Sequence, residues 1–137
     1  MDRRNFLLEM RKQGQLKGEK PCFVMVKYYD GKRRFRGEYV LSLRNDTFYF
    51  QKVNRLFEML RPNDDFELNV KDFIGFKIEA LNHRNAFMLY SKDEDVISFE
   101  YMVGLRETFS TEENIERICK TLIEKGLKKV EEIEWRN

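Results

Sequence analysis

The stretch CFVMVKYYDGKRRFRGEYVLSL, residues 22–43, predicts a β-hairpin. Residues 22–29 are rich in β-branched and aromatic side chains, which favour strands. Asp30-Gly31 follows them and is the kind of dipeptide that most strongly indicates a tight hairpin turn. Residues 36–43 then alternate in the manner of a strand with one buried face. The stretch therefore predicts two antiparallel strands joined at Asp30-Gly31.

Further strand-like segments follow at short spacing, separated by polar turns. Residues 55–60 fit a helical turn as well as a strand, and residues 62–65 break the chain in either case. Seven short antiparallel strands with few helices between them favour a mainly β (α+β) sandwich or barrel over a parallel α/β sheet. Besides the hairpin, the predicted strands are 47–53, 66–70, 73–81, 86–90 and 96–103.

A short amphipathic helix is predicted before the first strand. Asp2 can cap a helix over residues 3–13, and Gly14 ends it because glycine readily adopts the left-handed conformation found at helix ends. The apolar side chains are spaced by three and four residues, so they share one side, which we expect to pack against the rest of the domain. They are Phe6, Leu7 and Met10.

A longer amphipathic helix is predicted after the last strand. Ser110 and Glu113 have the spacing of a capping box, in which each side chain accepts a backbone amide hydrogen. Lys125 suits the negative end of a helix, and Gly126 suits the position just beyond it. The helix carries a single apolar stripe, so we expect it to cap the sheet with one buried face. The stripe consists of Ile115, Ile118, Cys119, Leu122 and Ile123.

The length of 137 residues and the apolar content of 42% suit one domain with a single core. We divide the chain into an accessory N-terminal helix (1–20), a β domain with its capping helix (21–126) and a C-terminal extension (127–137). Charge is unevenly spread: residues 1–36 hold eleven Lys and Arg against four Asp and Glu, and residues 37–137 hold fifteen against twenty. Such a basic end can meet phosphates or acidic partners.

The sequence contains no segment that resembles a secretory signal or a membrane span. No window approaches the ~20 apolar residues of a membrane helix. Cys22 and Cys119 lie far apart, without CxxC spacing and in apolar company, which indicates buried free thiols. We therefore expect a cytoplasmic protein, peripheral to any membrane that it meets.

Motifs of catalytic, metal and nucleotide sites are missing. His83 is the only histidine, and HExxH, CxxC, GxGxxG, GxxxxGK[ST] and GxSxG are absent. Carboxylates cluster over residues 64–65 and 93–95, in predicted turns. We expect no catalytic residue, no metal and no cofactor. The alternative is a small barrel enzyme that holds Asp93, Glu94 or His83 in a pocket.

The candidate binding site is the basic tip of the first hairpin. Two strands joined by a glycine-containing turn bring several cations together, where Arg grips phosphate oxygens with two hydrogen bonds and Lys adds a point charge. Alternation places Arg34 and Arg36 on one side and Phe35 on the other. The alternative is a solvated turn whose charges protect a sheet edge. The candidates are Lys27, Lys32, Arg33, Arg34 and Arg36.

The order of these elements resembles pleckstrin-homology (PH)-like domains, including their GRAM and bacterial branches. The resemblance covers residues 21–126 and rests on element order, on GEYVLSLRNDTFYF (37–50), on ELNVKDFIGFKIEAL (67–81) and on the terminal helix. The helix departs from the pattern because it lacks the Trp common in PH domains; the only Trp is Trp135. The resemblance implies a seven-stranded antiparallel sandwich or split barrel that serves as a binding platform.

The phosphoinositide-binding PH branch has a Lys at the end of its first strand and a basic-x-Arg pattern at the start of its second. Lys27, Arg34 and Arg36 match this pattern. The resemblance therefore implies a non-catalytic binding or adaptor module. Its ligand would be an anionic group, either a lipid headgroup on an anionic membrane surface or an acidic partner.

A protein-interaction or self-assembly module is the main alternative. It would use a sheet edge, the N-terminal helix or the Trp135 tail, and its partner would be an unknown protein or further copies in a homo-oligomer. Nucleic acid ranks lower as a ligand, because residues 37–137 are net acidic and a nucleic-acid domain usually spreads its basic surface further.

Overall fold

The computed structural model describes residues 2–129, so Trp135 and the rest of the predicted C-terminal extension from residue 130 lie outside the described residues. The described chain forms α1 (Arg3–Lys12), α2 (Phe109–Glu124) and nine strands. Neither helix is long and apolar enough to cross a membrane. The strands are β1 (Glu19–Tyr29), β2 (Arg34–Arg44), β3 (Thr47–Asn54), β4 (Met59–Leu60), β5 (Phe66–Asn69), β6 (Phe73–Ala80), β7 (Arg84–Ser91), β8 (Val96–Met102) and β9 (Lys128–Lys129).

The predicted mainly β architecture with two flanking helices is confirmed, but the count of seven strands is wrong. All seven predicted strands are present, and β4 and β9 add two residues each. The sequence left residues 55–60, which contain β4, open between a strand and a helical turn, and residues 127–137, which contain β9, open between a last strand and a helical extension. Strands this short show no alternation, so the pattern could not decide between these alternatives. The sheet is also not wholly antiparallel, since β9 runs parallel to β6. It is an open sheet and not a closed barrel.

Hydrogen-bonded strands follow one another in the order β4-β3-β2-β1-β8-β7-β6-β9, and β5 also pairs with β3. The strands up to β5 form one half of the sheet, and β6 to β9 form the other half. β1 and β8 join the halves, and they pair only at Met25 with Glu100 and at Val26 with Phe99. The junction between the halves is therefore narrow.

The main core lies between the two halves of the sheet and α2. Aromatic rings meet across the junction: the Phe99 ring centroid lies 5.6 Å from that of Phe50 and 5.0 Å from that of Phe87. α2 adds one apolar face to this core, as the stripe predicts, although Ile123 is half exposed. The buried members of the stripe are Ile115, Ile118, Cys119 and Leu122.

α1 packs against the face of β1, β2 and β3 that points away from the main core, which we call the outer face. Asp2 caps the helix by accepting the amide hydrogen of Asn5 at 2.8 Å. The predicted apolar side is buried against the sheet, so α1 does not offer this side to a partner. The cluster contains Phe6, Leu7 and Met10 from the helix and Phe23, Val40 and Val53 from the strands.

The predicted capping box at the start of α2 is wrong. α2 begins at Phe109, so Ser110 lies inside the helix. A 3₁₀ turn at Arg106–Thr108 leads directly into α2 and starts it earlier than the Ser-x-x-Glu pattern indicates. The Thr108 hydroxyl oxygen accepts the Leu105 amide hydrogen at 3.1 Å.

Two buried polar side chains tie α2 to β1, where β1 no longer pairs with β8. Thr111 Oγ1 accepts the amide hydrogen of Phe23 at 3.0 Å, and Asn114 Nδ2 donates to the carbonyl oxygen of Pro21 at 2.9 Å. Buried backbone groups need such partners, because leaving them unpaired costs free energy. α2 thus takes the place of a neighbouring strand along this part of β1.

Thr111→Val is expected to lower the free energy of unfolding by about 1–3 kcal/mol, because it leaves the buried Phe23 amide without an acceptor while keeping the shape of the side chain. Urea denaturation followed by circular dichroism measures the change. Thr121→Val is the matched control, since the Thr121 hydroxyl bonds only within α2, to the carbonyl of Arg117. Equal stability losses in both variants would contradict the proposed tie between α2 and β1.

Candidate functional site

The tip of the first hairpin is a four-residue turn held by Asp30. Asp30 Oδ1 accepts the amide hydrogens of Arg33 at 2.7 Å and Lys32 at 2.8 Å. These two amides hold the pKa of Asp30 below its ordinary value, because they bind its ionised form. Gly31 has a φ of +97°, which glycine adopts without steric cost. The turn is therefore well defined, and β2 starts at Arg34.

Three of the five predicted site residues share the outer face of the hairpin, and we call them the basic face: Lys27, Arg34 and Arg36. Lys27 stands directly opposite Arg36 in the β1–β2 ladder, and Arg34 stands opposite Tyr29. All three cations are exposed. The Arg34 guanidinium carbon lies 5.7 Å from the centroid of the Tyr29 ring, which is 60% exposed itself. Lys27, Arg34 and Arg36 thus project from adjoining positions of one surface.

The side chains between these cations point to the core. Tyr28 and Phe35 oppose each other in the ladder, and their ring centroids are 6.0 Å apart. Both rings pack against Phe66 of β5, at centroid distances of 5.0 Å and 4.7 Å. Because strand side chains alternate, burial of Phe35 holds Arg34 and Arg36 on the outer face.

Arg33 belongs to a different surface from the basic face. Its Nη2 donates to the carbonyl oxygen of Asn63 at 2.9 Å and lies 3.4 Å from Asp64 Oδ1. Its guanidinium carbon lies 5.0 Å from the centroid of the Phe35 ring. Arg33 therefore ties the hairpin to the turn after β4. Lys32, the remaining predicted residue, is exposed at the tip.

An acidic cleft of about 660 Å³ opens where β1 and β8 separate beyond their junction. Tyr28 and Lys27 line it together with four aspartates, so an anionic ligand would meet repulsion there. Burial, then the Asp30 carboxylate and then that of Asp95, raise the pKa of Tyr28. The aspartates are Asp30, Asp72, Asp93 and Asp95. No group of residues in the described range is arranged to hold a metal ion.

Of the residues that the enzyme alternative places in a pocket, Asp93 lines the acidic cleft, whereas His83 lies at the other end of β7. β7 separates His83 from Asp93, since His83 precedes its first residue and Asp93 follows its last. An eight-residue strand spans roughly 25 Å, so the two side chains cannot act on one substrate atom. Asp93 and His83 therefore form no common site.

The carboxylates at 64–65 stabilise the structure around the hairpin and are not simply solvated. Asp64 lies 3.5 Å from Arg61 Nε, in addition to its contact with Arg33. Asp65 Oδ1 accepts the amide hydrogen of Lys52 at 2.7 Å, and its other oxygen lies 3.7 Å from Lys17 Nζ. Burial raises the pKa of Asp65, and the Lys52 amide opposes that rise. These long-range partners could not be assigned from the sequence.

Both cysteines are buried free thiols, as predicted. Burial raises the pKa of Cys119 to about 11 and also raises the pKa of Cys22. The thiolate is the reactive form, so both side chains stay protonated and inert near neutral pH.

Asp95→Asn is expected to lower the pKa of Tyr28, because it removes a carboxylate that favours the neutral phenol. A ¹³C-tyrosine NMR titration measures this pKa, with Tyr28→Phe assigning the signal. Asp93→Asn is the matched control, because Asp93 lines the same cleft but is not among the groups that raise the pKa of Tyr28. An unchanged Tyr28 pKa in Asp95→Asn would contradict the influence of the Asp95 carboxylate on Tyr28.

Comparison with known proteins gives a structural neighbour. No protein-family model matches the chain, and no curated protein matches it. Among solved structures, it is similar to the hSac2 domain from human phosphoinositide phosphatase Sac2. The match covers 97% of this chain and 93% of that one, with a TM-score of 0.50 and 12% sequence identity. At this identity the similarity concerns the fold alone, a mostly β fold shared over nearly the full length of both chains.

Proposed function

We propose that the protein is a non-catalytic binding module of PH-like type, and that its basic face binds the phosphate of a lipid headgroup. The observation that carries the proposal is the absence of compensating charge. Among the described residues, no carboxylate forms an ion pair with Lys27, Arg34 or Arg36. Three neighbouring cations that form no ion pair among the described residues suit an anion, because their mutual repulsion is relieved when it binds.

Glu38, a carboxylate on the same face, forms ion pairs with other arginines. Glu38 follows Arg36 by two positions on β2, so it also points outward. It is engaged by Arg3 Nη2 at 3.8 Å and by Arg55 Nε at 3.6 Å. These two arginines keep Glu38 from neutralising the basic face, which leaves that face free for a phosphate.

The proposed site lies on the outer face of the hairpin and not in the acidic cleft. The open end of the sheet beside β8 is acidic, so the ligand would approach the outer face and not the cleft. The structural neighbour is a domain of a protein named as a phosphoinositide phosphatase, and this name agrees with a lipid-phosphate ligand. An acidic protein partner is the competing ligand, and the vesicle experiment below separates the two.

Reversing the three charges, in Lys27→Glu/Arg34→Glu/Arg36→Glu, is expected to weaken binding to anionic vesicles at least about 100-fold, since each cation near the surface contributes about 1 kcal/mol. Co-sedimentation with phosphatidylcholine vesicles, with and without phosphatidylserine or mixed phosphoinositides, measures it across a salt series. Arg44→Glu is the matched control, an exposed arginine at the other end of β2.

Wild-type binding should require anionic lipid and weaken with salt, because exposed charges are screened beyond about 8 Å at physiological ionic strength. Equal binding by the triple variant and wild type would refute the site. Failure of wild type to bind any of the vesicles would refute the lipid headgroup as ligand and leave an acidic protein as the partner to seek.

The two adjacent arginines of the turn are expected to differ. Arg34→Gln should weaken vesicle binding clearly more than Arg33→Gln, because Arg33 is already held by Asp64 and by the Asn63 carbonyl. The same co-sedimentation series measures both variants, which have equal charge and matched side chains. Equal losses in the two variants would mean that net charge, and not the basic face, determines binding.

A further inference from the structure

The segment from the end of β3 through β4 exposes apolar side chains that the described part of the chain does not cover. We call residues 55–60 the apolar turn. Leu56 is 83% exposed, Phe57 68% and Met59 50%. Nowhere else among the described residues do three strongly exposed apolar side chains lie within four consecutive positions. A cluster of this kind in a water-exposed turn indicates a contact surface.

The backbone of the apolar turn is already paired, which lowers the cost of removing it from water. Asn54 Oδ1 accepts the amide hydrogens of Leu56 at 3.1 Å and Phe57 at 3.3 Å. Met59 and Leu60 then pair with β3. An unpaired amide costs several kcal/mol in an apolar medium, so a turn that satisfies its own amides can enter one.

Arginines surround the apolar turn. Arg55 precedes its exposed side chains, and Arg61 follows them. Arg61 lies beside Asp64, the residue that also holds Arg33 of the hairpin tip. Long cationic side chains next to apolar ones suit the boundary of an anionic bilayer, where the apolar groups enter and the charges remain among headgroups. Glu58 is the one acidic residue of the turn.

The apolar turn and the basic face lie at the same end of the sheet. β1 runs toward the hairpin tip, β2 runs back, and β3 runs toward the tip again before it reaches the apolar turn. The acidic cleft opens on the β8 side of β1, and Lys27 borders both the cleft and the basic face. A surface that touched the apolar turn and the basic face together could therefore leave the acidic cleft in water.

We propose that the apolar turn inserts Leu56, Phe57 and Met59 into the surface of an anionic bilayer while the basic face lies on its headgroups. The inference rests on the proposed function and names the bilayer as the source of the phosphate. Charge complementarity with the basic face selects this occupant: Lys27, Arg34 and Arg36 are exposed, form no ion pair among the described residues and attract an anionic surface beside the turn. The domain then binds tilted, with residues 92–95 directed away from the membrane.

The test uses the full chain with single cysteines, since the native thiols are buried. Leu56→Cys, labelled with the environment-sensitive dye NBD, is expected to shift its emission to the blue on anionic vesicles and to be quenched by lipids with spin labels in their acyl chains. Ile123→Cys is the matched control, as Ile123 is 51% exposed on α2. A label on Lys92→Cys reports whether the acidic turn at residues 92–95 meets the membrane. Neither control label should shift.

A second variant separates insertion from electrostatic attraction. Leu56→Ser/Phe57→Ser is expected to weaken vesicle binding about 10–100-fold, and the loss should persist at high salt because apolar contacts are not screened. Leu105→Ser/Phe109→Ser is the matched control, with side chains 45% and 56% exposed elsewhere on the surface. It should bind as wild type does.

The outcomes distinguish this inference from the proposed function. Vesicle binding that is lost on charge reversal, but unchanged in Leu56→Ser/Phe57→Ser and without a dye shift at position 56, would overturn insertion and leave the headgroup site standing. Absence of wild-type binding to anionic vesicles would overturn both. Concentration-dependent association that the double serine variant abolishes, without any vesicle binding, would assign the apolar turn to contacts between copies and would also overturn insertion.

Discussion

β1 is the element on which the rest of the structure depends. It pairs along most of its length with β2, joins the second half of the sheet through Met25 and Val26, and provides the backbone groups that α2 binds. Alternation along the same strand sends Tyr28 to the core and Lys27 outward. Packing of the core and display of the cations are therefore set by one strand and cannot be changed independently.

Charge is divided across this strand. The side toward β2 carries the basic face, whereas the side toward β8 carries the acidic cleft, which Lys27 also borders. A net charge of +2 conceals this separation. Such a molecule has a strong local field at one end, and an anionic surface would orient it as well as attract it.

Local patterns predicted much of the fold. Asp30-Gly31 marked the hairpin, the spacing of Phe6, Leu7 and Met10 marked α1, and the stripe of α2 was correct in four of its five members. These features depend on near neighbours, whose periodicity is visible in a sequence. The segments that contain β4 and β9 were left undecided between strand and helix, because a strand of two residues shows no periodicity. The capping box failed because a 3₁₀ turn started α2 earlier.

The candidate site was predictable only in part. Alternation alone separated Arg34 and Arg36 from Phe35, and the structure places them accordingly. That Arg33 is held by Asn63 and Asp64 depends on a contact across thirty residues, which no local pattern contains. The acidity of the cleft likewise arises from aspartates in separate turns. The sequence shows that residues 55–60 contain several apolar side chains, but it does not show that these side chains are exposed.

The contacts by which α2 takes the place of a strand beside β1 also affect how the chain folds. The hairpins join residues close in sequence, whereas β1 meets α2 through pairs separated by 88 and 93 residues. Closing such long loops costs entropy that only the completed contacts return, so the hairpins can form early and the docking of α2 must come late. Until then the aromatic interior has no cover on one side. The newly made chain is thus most prone to aggregate after its sheet has begun to form and before its last helix is in place.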